Sequence, residues 1–157
     1  MFKSIIWATD GSASADRAMP YVKSLASEHD SQVVVLHVDE LLVGRGGGQP
    51  VIADEPDVRA KIEQQAKELS DEGIAAASRV VTTTTGGAAH NLAEAAEDLG
   101  ADLIVVGTRG RTALSGLLLG GVTHRLLHIS PCPVFAVPAS VGAQPSRPEA
   151  VSAEATS

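Results

Sequence analysis

The stretch ADLIVVGTRG, residues 101–110, decides the fold class of this chain. Its centre, LIVV, is a run of aliphatic residues without polar alternation, which predicts a short strand whose two faces are both buried. Such strands are typical of a parallel sheet that is covered by helices on each side. The glycine-containing turn that follows predicts that the strand ends at residue 107. We therefore expect an α/β fold.

The same kind of aliphatic block recurs along the chain and alternates with longer amphipathic stretches. The blocks predict five strands, at residues 4–8, 32–38, 78–84, 103–107 and 134–137. Apolar residues at helix spacing predict four helices, with stripes within residues 18–26, 58–69, 92–99 and 122–129. Because β-α-β units join parallel strands through right-handed crossovers, we expect a single-domain, five-stranded parallel sheet with helices on both faces.

Local signals predict where the helices begin and end. We expect Ser14 to cap the first helix, Asp54 to cap the second, and His90 or a neighbouring residue to begin the third. Pro131 and Pro133 should end the fourth helix, because proline lacks the backbone donor and clashes with the preceding turn.

The order of the elements also predicts where a ligand binds. Parallel α/β sheets bind ligands beyond the carboxyl ends of the strands, at the point where the winding reverses. The first and fourth strands should flank that crevice, so two turn segments converge on it. Their residues are Ala8, Thr9, Asp10 and Gly11 at the end of the first strand, and Gly107, Thr108, Arg109 and Gly110 at the end of the fourth.

Composition indicates which classes of partner and which cellular compartment to expect. The chain is 44% apolar but only 3% aromatic, so the core should consist of aliphatic side chains. A formal net charge of -7 disfavours nucleic acid and anionic membrane surfaces as partners. The single cysteine, Cys132, and the lack of a long apolar run fit a cytoplasmic protein.

Two segments lack the periodicity of a helix or strand. Residues 41–55 are rich in glycine and should form a mobile loop that could cover the crevice. Residues 139–157 are mostly small and polar, so we expect a domain at residues 1–138 followed by a disordered tail.

A glycine-spaced segment after the fourth strand is the candidate anion site. Glycines at 107, 110, 116, 120 and 121 precede the last helix, whose first amides could donate to phosphate oxygens. Spacing alone leaves a second interpretation open, because sharp turns at strand ends also demand glycine. The P-loop pattern is absent, since no lysine follows Gly120 or Gly121.

Several motifs in the same order make the chain resemble an ATP-binding universal stress protein over about residues 2–138. Gly107, Gly110 and Gly120 occupy the three glycines of the family pattern G-x2-G-x9-G-[ST], and the segments TDGS, LHV and ADLIVVGTRG also match. The resemblance implies the adenine nucleotide alpha hydrolase-like fold with strand order 3-2-1-4-5. One departure is Gly121, which stands where the family pattern has a hydroxyl residue.

The resemblance also implies a role for each matching residue. Asp10 would contact the ribose or base, Val38 would meet adenine through its backbone, and Gly107 with Gly110 would line the ribose and phosphate path. The phosphates would be held by Gly120, Gly121, Val122 and Thr123. Because Gly121 lacks a hydroxyl, we expect weaker ATP binding or a preference for a shorter phosphate group, with Thr123 as the nearby hydroxyl.

The function expected from the resemblance is a stress-response regulatory module that binds ATP, with magnesium, and forms a homodimer through the last strand. Alternatives stay open: a cyclic-AMP-binding or non-nucleotide interaction module, or a weak ATP hydrolase. We assign no catalytic residue. His124 and His128 have a spacing that metal sites use, but an acidic third ligand is missing from the pattern, so no metal site is expected.

Overall fold

The structure, a computed structural model, describes residues 1–40, 55–84, 87–109 and 119–139. The strands are β1 (Ser4–Ala8), β2 (Gln32–Glu40), β3 (Ala75–Thr83), β4 (Leu103–Gly107) and β5 (Val134–Val137). The helices are α1 (Ala13–Asp16), α2 (Met19–His29), α3 (Glu55–Asp71), α4 (Gly87–Asp98) and α5 (Gly121–Ile129).

The five strands form one parallel sheet in the order β3-β2-β1-β4-β5. Strand β1 is central, with Ala8 paired to Leu36 on one side and to Val106 on the other. The predicted fold class and strand order are confirmed. The winding reverses between β1 and β4, so the carboxyl ends of these two strands form the edge at which a ligand site was expected.

Two apolar clusters cover the two faces of the sheet. The first joins β1, β2 and β4 to helices α2 and α3, and the second joins the opposite face of these strands to α4 and α5. The clusters are aliphatic with one exception, Trp7, which is fully buried in the first. Helices on both faces explain why the central strands lack polar alternation.

The first predicted helix is divided into two. Helix α1 ends at Asp16, and Pro20 occupies the first turn of α2, where a missing amide proton is tolerated. In one continuous helix Pro20 would clash with the carbonyl four residues earlier. The described residues thus contain five helices rather than the four predicted.

The prediction that Ser14 caps the first helix is wrong. The cap is Ser12, whose hydroxyl oxygen accepts from the amide of Ala15 at 3.2 Å. Gly11, with φ 78°, turns the chain immediately before this cap. The helix therefore begins directly after the turn, two residues earlier than expected.

Other boundaries also differ from the predicted ones. Strand β3 begins at Ala75 rather than at residue 78, because three alanines extend its pairing with β2. Helix α4 begins at Gly87 rather than near His90, and the Glu40 carboxylate accepts from the amide of Ala88 in its first turn. A carboxylate there complements the positive end of the helix dipole.

In α5 the predicted stripe is only partly buried. Leu126 is fully buried, but Val122 and Ile129 are exposed by 41% and 37%, and Thr123 is buried instead. The predictions for Asp54, for most of the loop at residues 41–55 and for residues 140–157 lie outside the described residues.

Two ionisable groups away from the carboxyl edge have shifted pKa values. Hydrogen bonds to Glu68 of α3 and to Glu72, which follows α3, each at 2.7 Å, raise the pKa of Lys23 in α2. Burial raises the pKa of the Cys132 thiol, so this thiol stays protonated at neutral pH. Among the helices that the structure describes, none combines the length and apolar character needed to cross a bilayer.

Candidate functional site

The candidate site lies at the carboxyl edge of β1 and β4, where the structure brings the predicted turn segments together. The β1 turn contributes Thr9, Asp10 and Gly11, and the β4 turn contributes Thr108 and Arg109. Val38 lies near the end of the neighbouring strand β2, two residues beyond the position paired with Ala8. Gly110 and Gly116 lie outside the described residues.

Hydrogen bonds from neighbouring groups fix the β1 turn. The Thr9 amide donates to the carbonyl of Leu36 at 2.9 Å, and the Thr9 hydroxyl oxygen accepts from the amide of Gly11 at 3.1 Å. The Asp10 oxygen Oδ1 accepts from the amide of Ser12 at 2.9 Å. The His37 atom Nδ1 lies 2.9 Å from the carbonyl oxygen of Thr9. The backbone that carries Asp10 is therefore held both by contacts to β2 and by hydrogen bonds within the turn.

Gly107 allows β4 to pack closely against α1. A Cβ atom at this position would lie 3.3 Å from the carbonyl oxygen of Ser14 and 3.4 Å from Cα of Ala15. Such distances are shorter than an ordinary van der Waals contact, so a larger residue would push α1 away from β4. One reason for glycine at position 107 is thus the close packing of α1 against the end of β4.

Thr108 joins β4 to both β5 and α5. Its amide donates to the carbonyl of Val137 at 2.8 Å, and its hydroxyl oxygen accepts from the amide of Ala139 at 3.2 Å. Its carbonyl accepts from the amide of Gly120 at 2.6 Å. The Gly120 amide, which sequence reasoning proposed as a phosphate donor, is therefore already engaged in this conformation.

Thr123 also connects the start of α5 to β4. Its hydroxyl donates to the carbonyl of Gly107 at 2.8 Å, and the residue is only 3% exposed. A hydroxyl has one proton, so Thr123 cannot at the same time donate a side-chain hydrogen bond to a phosphate. The sequence showed only that a hydroxyl lies near the glycines. It did not distinguish a hydroxyl that binds phosphate from one that binds the protein backbone.

The first turn of α5 leaves three backbone amides for an anion. The first hydrogen bond within the helix runs from the His124 amide to the carbonyl of Gly120 at 3.0 Å. The amides of Gly121, Val122 and Thr123 precede it, and they have no acceptor among the described residues. Such amides, at the positive end of the helix dipole, are well suited to binding a phosphate.

Gly121 leaves open space at this helix start. A Cβ atom built on it has no neighbour within 4 Å among the described residues, and its φ is not positive. The backbone thus does not require glycine at position 121. The absence of a side chain here affects what can approach the amides rather than the local fold.

Among the described residues, no group of three histidine, cysteine or acidic side chains could hold a metal ion. The His124 and His128 rings contact each other edge to face, with centroids 5.1 Å apart, on an exposed part of α5.

Sequence reasoning missed two residues that shape the β1 turn. Ser12 caps α1, and Lys61 of α3 donates from Nζ to the carbonyl of Gly11 at 2.7 Å. Ser12 adjoins a turn glycine, which is a signal for a cap. Lys61 is 50 residues away in sequence, and its amphipathic helix offers no local signal for this contact.

The family model for the universal stress protein family matches residues 1–138. The chain belongs to the universal stress protein family. A universal stress protein of Synechocystis sp. is 33% identical over 139 residues, which cover 88% of this chain and 87% of that protein. Universal stress protein MJ0577 of Methanocaldococcus jannaschii is 32% identical over 158 residues, covering 87% of this chain and 95% of that protein.

Solved structures of other universal stress proteins share the fold. The structure of MJ0577 superposes with a TM-score of 0.73 at 26% identity and covers 90% of this chain and 99% of that one. A universal stress protein crystallised in complex with cAMP has a TM-score of 0.65 at 24% identity, covering 88% and 98% of the two chains. One from Archaeoglobus fulgidus in complex with dAMP has a TM-score of 0.63 at 17% identity, covering 87% and 98%.

The bond from Thr123 to Gly107 predicts a specific loss of stability. Thr123→Val keeps the shape of the side chain but leaves the buried carbonyl of Gly107 without this donor, which should lower the free energy of unfolding by about 1–3 kcal/mol. Urea denaturation measures the change. The control is Thr82→Val, the same substitution at an exposed position of β3, which should change stability by less than about 0.5 kcal/mol. Equal effects of the two variants would contradict a stabilising role for this hydrogen bond.

Proposed function

We propose that this universal stress protein binds an adenine nucleotide, with ATP as the first candidate, and acts as a regulatory module in a stress response. The observation that carries the proposal is the first turn of α5, where the amides of Gly121, Val122 and Thr123 have no acceptor among the described residues. They lie beside the carboxyl ends of β1 and β4, where α/β sheets bind ligands.

In the proposed complex the phosphates lie against these three amides. Since the Gly120 amide donates to Thr108 and the Thr123 hydroxyl donates to Gly107, both residues support the site through these bonds. The ribose would meet Asp10, the base would meet the backbone of Val38, and the segment from Gly107 to Gly110, with Thr108 and Arg109, would line the path between them. Ala8 and Thr9 would form the floor of the crevice.

Magnesium would accompany ATP. Mg²⁺ usually keeps several water molecules and is held through phosphate oxygens together with one or two carboxylates. Asp10 is a carboxylate at this edge of the sheet. The proposal contains no catalytic step, and weak hydrolysis of ATP would need a base and metal-holding groups beyond those assigned above.

Cyclic AMP is the second candidate. Gly121 lacks the hydroxyl that the family pattern places beside the terminal phosphates, so a ligand with a single phosphate loses less than ATP does. Two universal stress proteins with similar folds form complexes with cAMP and with dAMP, each of which has one phosphate group. These complexes support an adenine nucleotide as the ligand class and leave the length of the phosphate chain to experiment.

A homodimer through β5 is part of the proposal, as is a cytoplasmic domain at residues 1–138 with a separate tail. Strand β5 lies at the edge of the sheet, and its Phe135 is 39% exposed. The Phe135 ring contacts Tyr21 of α2, which is 38% exposed, with centroids 5.6 Å apart. An edge strand with an exposed ring that packs against a second exposed ring of α2 is suited to pairing with a second copy.

Nucleotide binding should raise the thermal stability of the protein. A ligand at 100 times its dissociation constant stabilises the folded state by about 2.7 kcal/mol, which is about 5–10 °C for a domain of this size. Differential scanning fluorimetry with ATP, ADP and cAMP measures the shift. Val122→Asp should abolish it, because the carboxylate repels phosphate while remaining compatible with a helix N-terminus. Val122→Asn, of nearly the same shape but neutral, should retain most of it. No shift in the wild type at millimolar ligand would favour an interaction module that binds no nucleotide.

Restoring the hydroxyl at position 121 should strengthen ATP binding. The open space at Gly121 accommodates a side chain, and one added hydrogen bond to a charged phosphate predicts about a 10-fold lower Kd for Gly121→Ser. Isothermal titration calorimetry with ATP and cAMP gives the two affinities. Gly121→Ala isolates the effect of the added Cβ and of helix propensity. If Ser binds ATP no more tightly than Ala, the missing hydroxyl does not determine the preference for the nucleotide.

Pairing through β5 predicts a dimer in solution. Sedimentation velocity at micromolar concentration should give twice the chain mass of 16.1 kDa. Phe135→Glu should yield a folded monomer, because a buried carboxylate at the interface would lack a partner. A circular dichroism spectrum identical to that of the wild type serves as the control for folding. A monomeric wild type would contradict this part of the proposal.

A further inference from the structure

The side chain of Lys61 reaches from α3 to the turn that carries Asp10. Its Nζ donates to the carbonyl of Gly11 and to Asp16 Oδ2, each at 2.7 Å. The other carboxylate oxygen of Asp16 accepts from Nε2 of Gln65 at 2.9 Å, and Gln65 is only 7% exposed. Lys61 therefore contacts both the turn that precedes the Ser12 cap and Asp16, the last residue of α1. Gln65 holds the Asp16 carboxylate that binds the lysine.

The carbonyl that Lys61 binds belongs to the same peptide unit as the amide that Asp10 accepts. The Gly11–Ser12 peptide places its oxygen against Lys61 Nζ and its N–H against Asp10 Oδ1, at 2.7 Å and 2.9 Å. A cation at the oxygen polarises the peptide and strengthens the hydrogen bond that its N–H makes. Gly11 has φ 78°, in the left-handed region that glycine adopts easily. Because glycine restricts the backbone little, the orientation of the Gly11–Ser12 peptide depends on such contacts.

We propose that Lys61 is a positioning residue for Asp10: by holding the Gly11–Ser12 peptide, its ammonium group sets the orientation in which the Asp10 carboxylate meets the nucleotide. This inference rests on the proposed function. Lys61 itself is not a phosphate ligand, because two of its three donors are engaged and its charge is balanced by Asp16. Lys61 affects the ligand only through the Gly11–Ser12 peptide and Asp10.

The test compares two lysines of the same helix. Lys61→Met removes the contact to Gly11, whereas Lys67→Met removes the same charge from an exposed pair with Asp71. In Lys61→Met, the Gly11–Ser12 peptide that donates a hydrogen bond to Asp10 is no longer held, so the affinity for adenine nucleotide should fall by about 5-fold. The affinity of Lys67→Met should stay within about 2-fold of the wild type. Calorimetric titration with ADP and ATP gives the ratios. Equal affinities for Lys61→Met and the wild type would overturn the proposal.

A double-mutant cycle separates positioning from a merely structural role. In an Asp10→Ala background, the further change Lys61→Met should leave the affinity unaltered, because the side-chain oxygen that Lys61 positions through the Ser12 amide is absent. The same 5-fold loss in both backgrounds would show that Lys61 acts independently of Asp10, and would overturn the proposal. Lys61→Arg, which keeps the charge, should recover part of the lost affinity.

A measurement without nucleotide distinguishes failure of this inference from failure of the proposed function. In ¹H–¹⁵N spectra of the ligand-free protein, Lys61→Met should shift the Ser12 amide resonance and speed its hydrogen exchange, and Lys67→Met should do neither. An unchanged Ser12 amide overturns the inference. A wild type that binds no adenine nucleotide overturns the proposed function instead, and the Ser12 amide then still decides whether Lys61 holds this peptide.

Discussion

The pairing of β1 with β4 is the constraint on which the rest of the site depends. It places the reversal of winding at the centre of the sheet, so the turns after these two strands open at one edge. Gly107 then lets α1 pack against the end of β4 at distances that a side chain would prevent. The start of α5 is drawn to the same edge by Thr108 and Thr123, whose hydrogen bonds run between the two elements. The three available amides of α5 are thus fixed relative to Asp10 by the backbone of β4.

In the proposed complex, two kinds of group bind the nucleotide. The phosphate end would rely on backbone amides, which need no charged side chain and tolerate a sequence that is glycine-rich and acidic overall. The ribose end would rely on the side chain of Asp10, which the β1 turn carries. Several elements contact that turn, among them β2 through Leu36 and His37 and α3 through Lys61. A change in any of these elements can therefore alter the turn that carries Asp10.

Family membership and fold agree with this picture without fixing the ligand. The universal stress protein family model matches residues 1–138, and solved members with the same fold contain cAMP or dAMP. The departure at Gly121 is the feature that bears most directly on nucleotide choice, since nothing in the backbone demands glycine there. In the proposed complex, the preferred length of the phosphate chain would therefore depend on one side chain rather than on the fold.

The sequence by itself determined the fold class, four of the five helix regions and the meeting of the β1 and β4 turns at one edge of the sheet. It did so because aliphatic blocks, helical spacing and glycine turns are local patterns that reflect burial directly. Only the tertiary structure decided how individual groups are used: that the Gly120 amide and the Thr123 hydroxyl are engaged within the protein, that Ser12 rather than Ser14 caps α1, and that Lys61 supports the Asp10 turn. A hydrogen bond depends on which donor and acceptor the fold brings within about 3 Å, and residues distant in sequence carry no local pattern that records this distance.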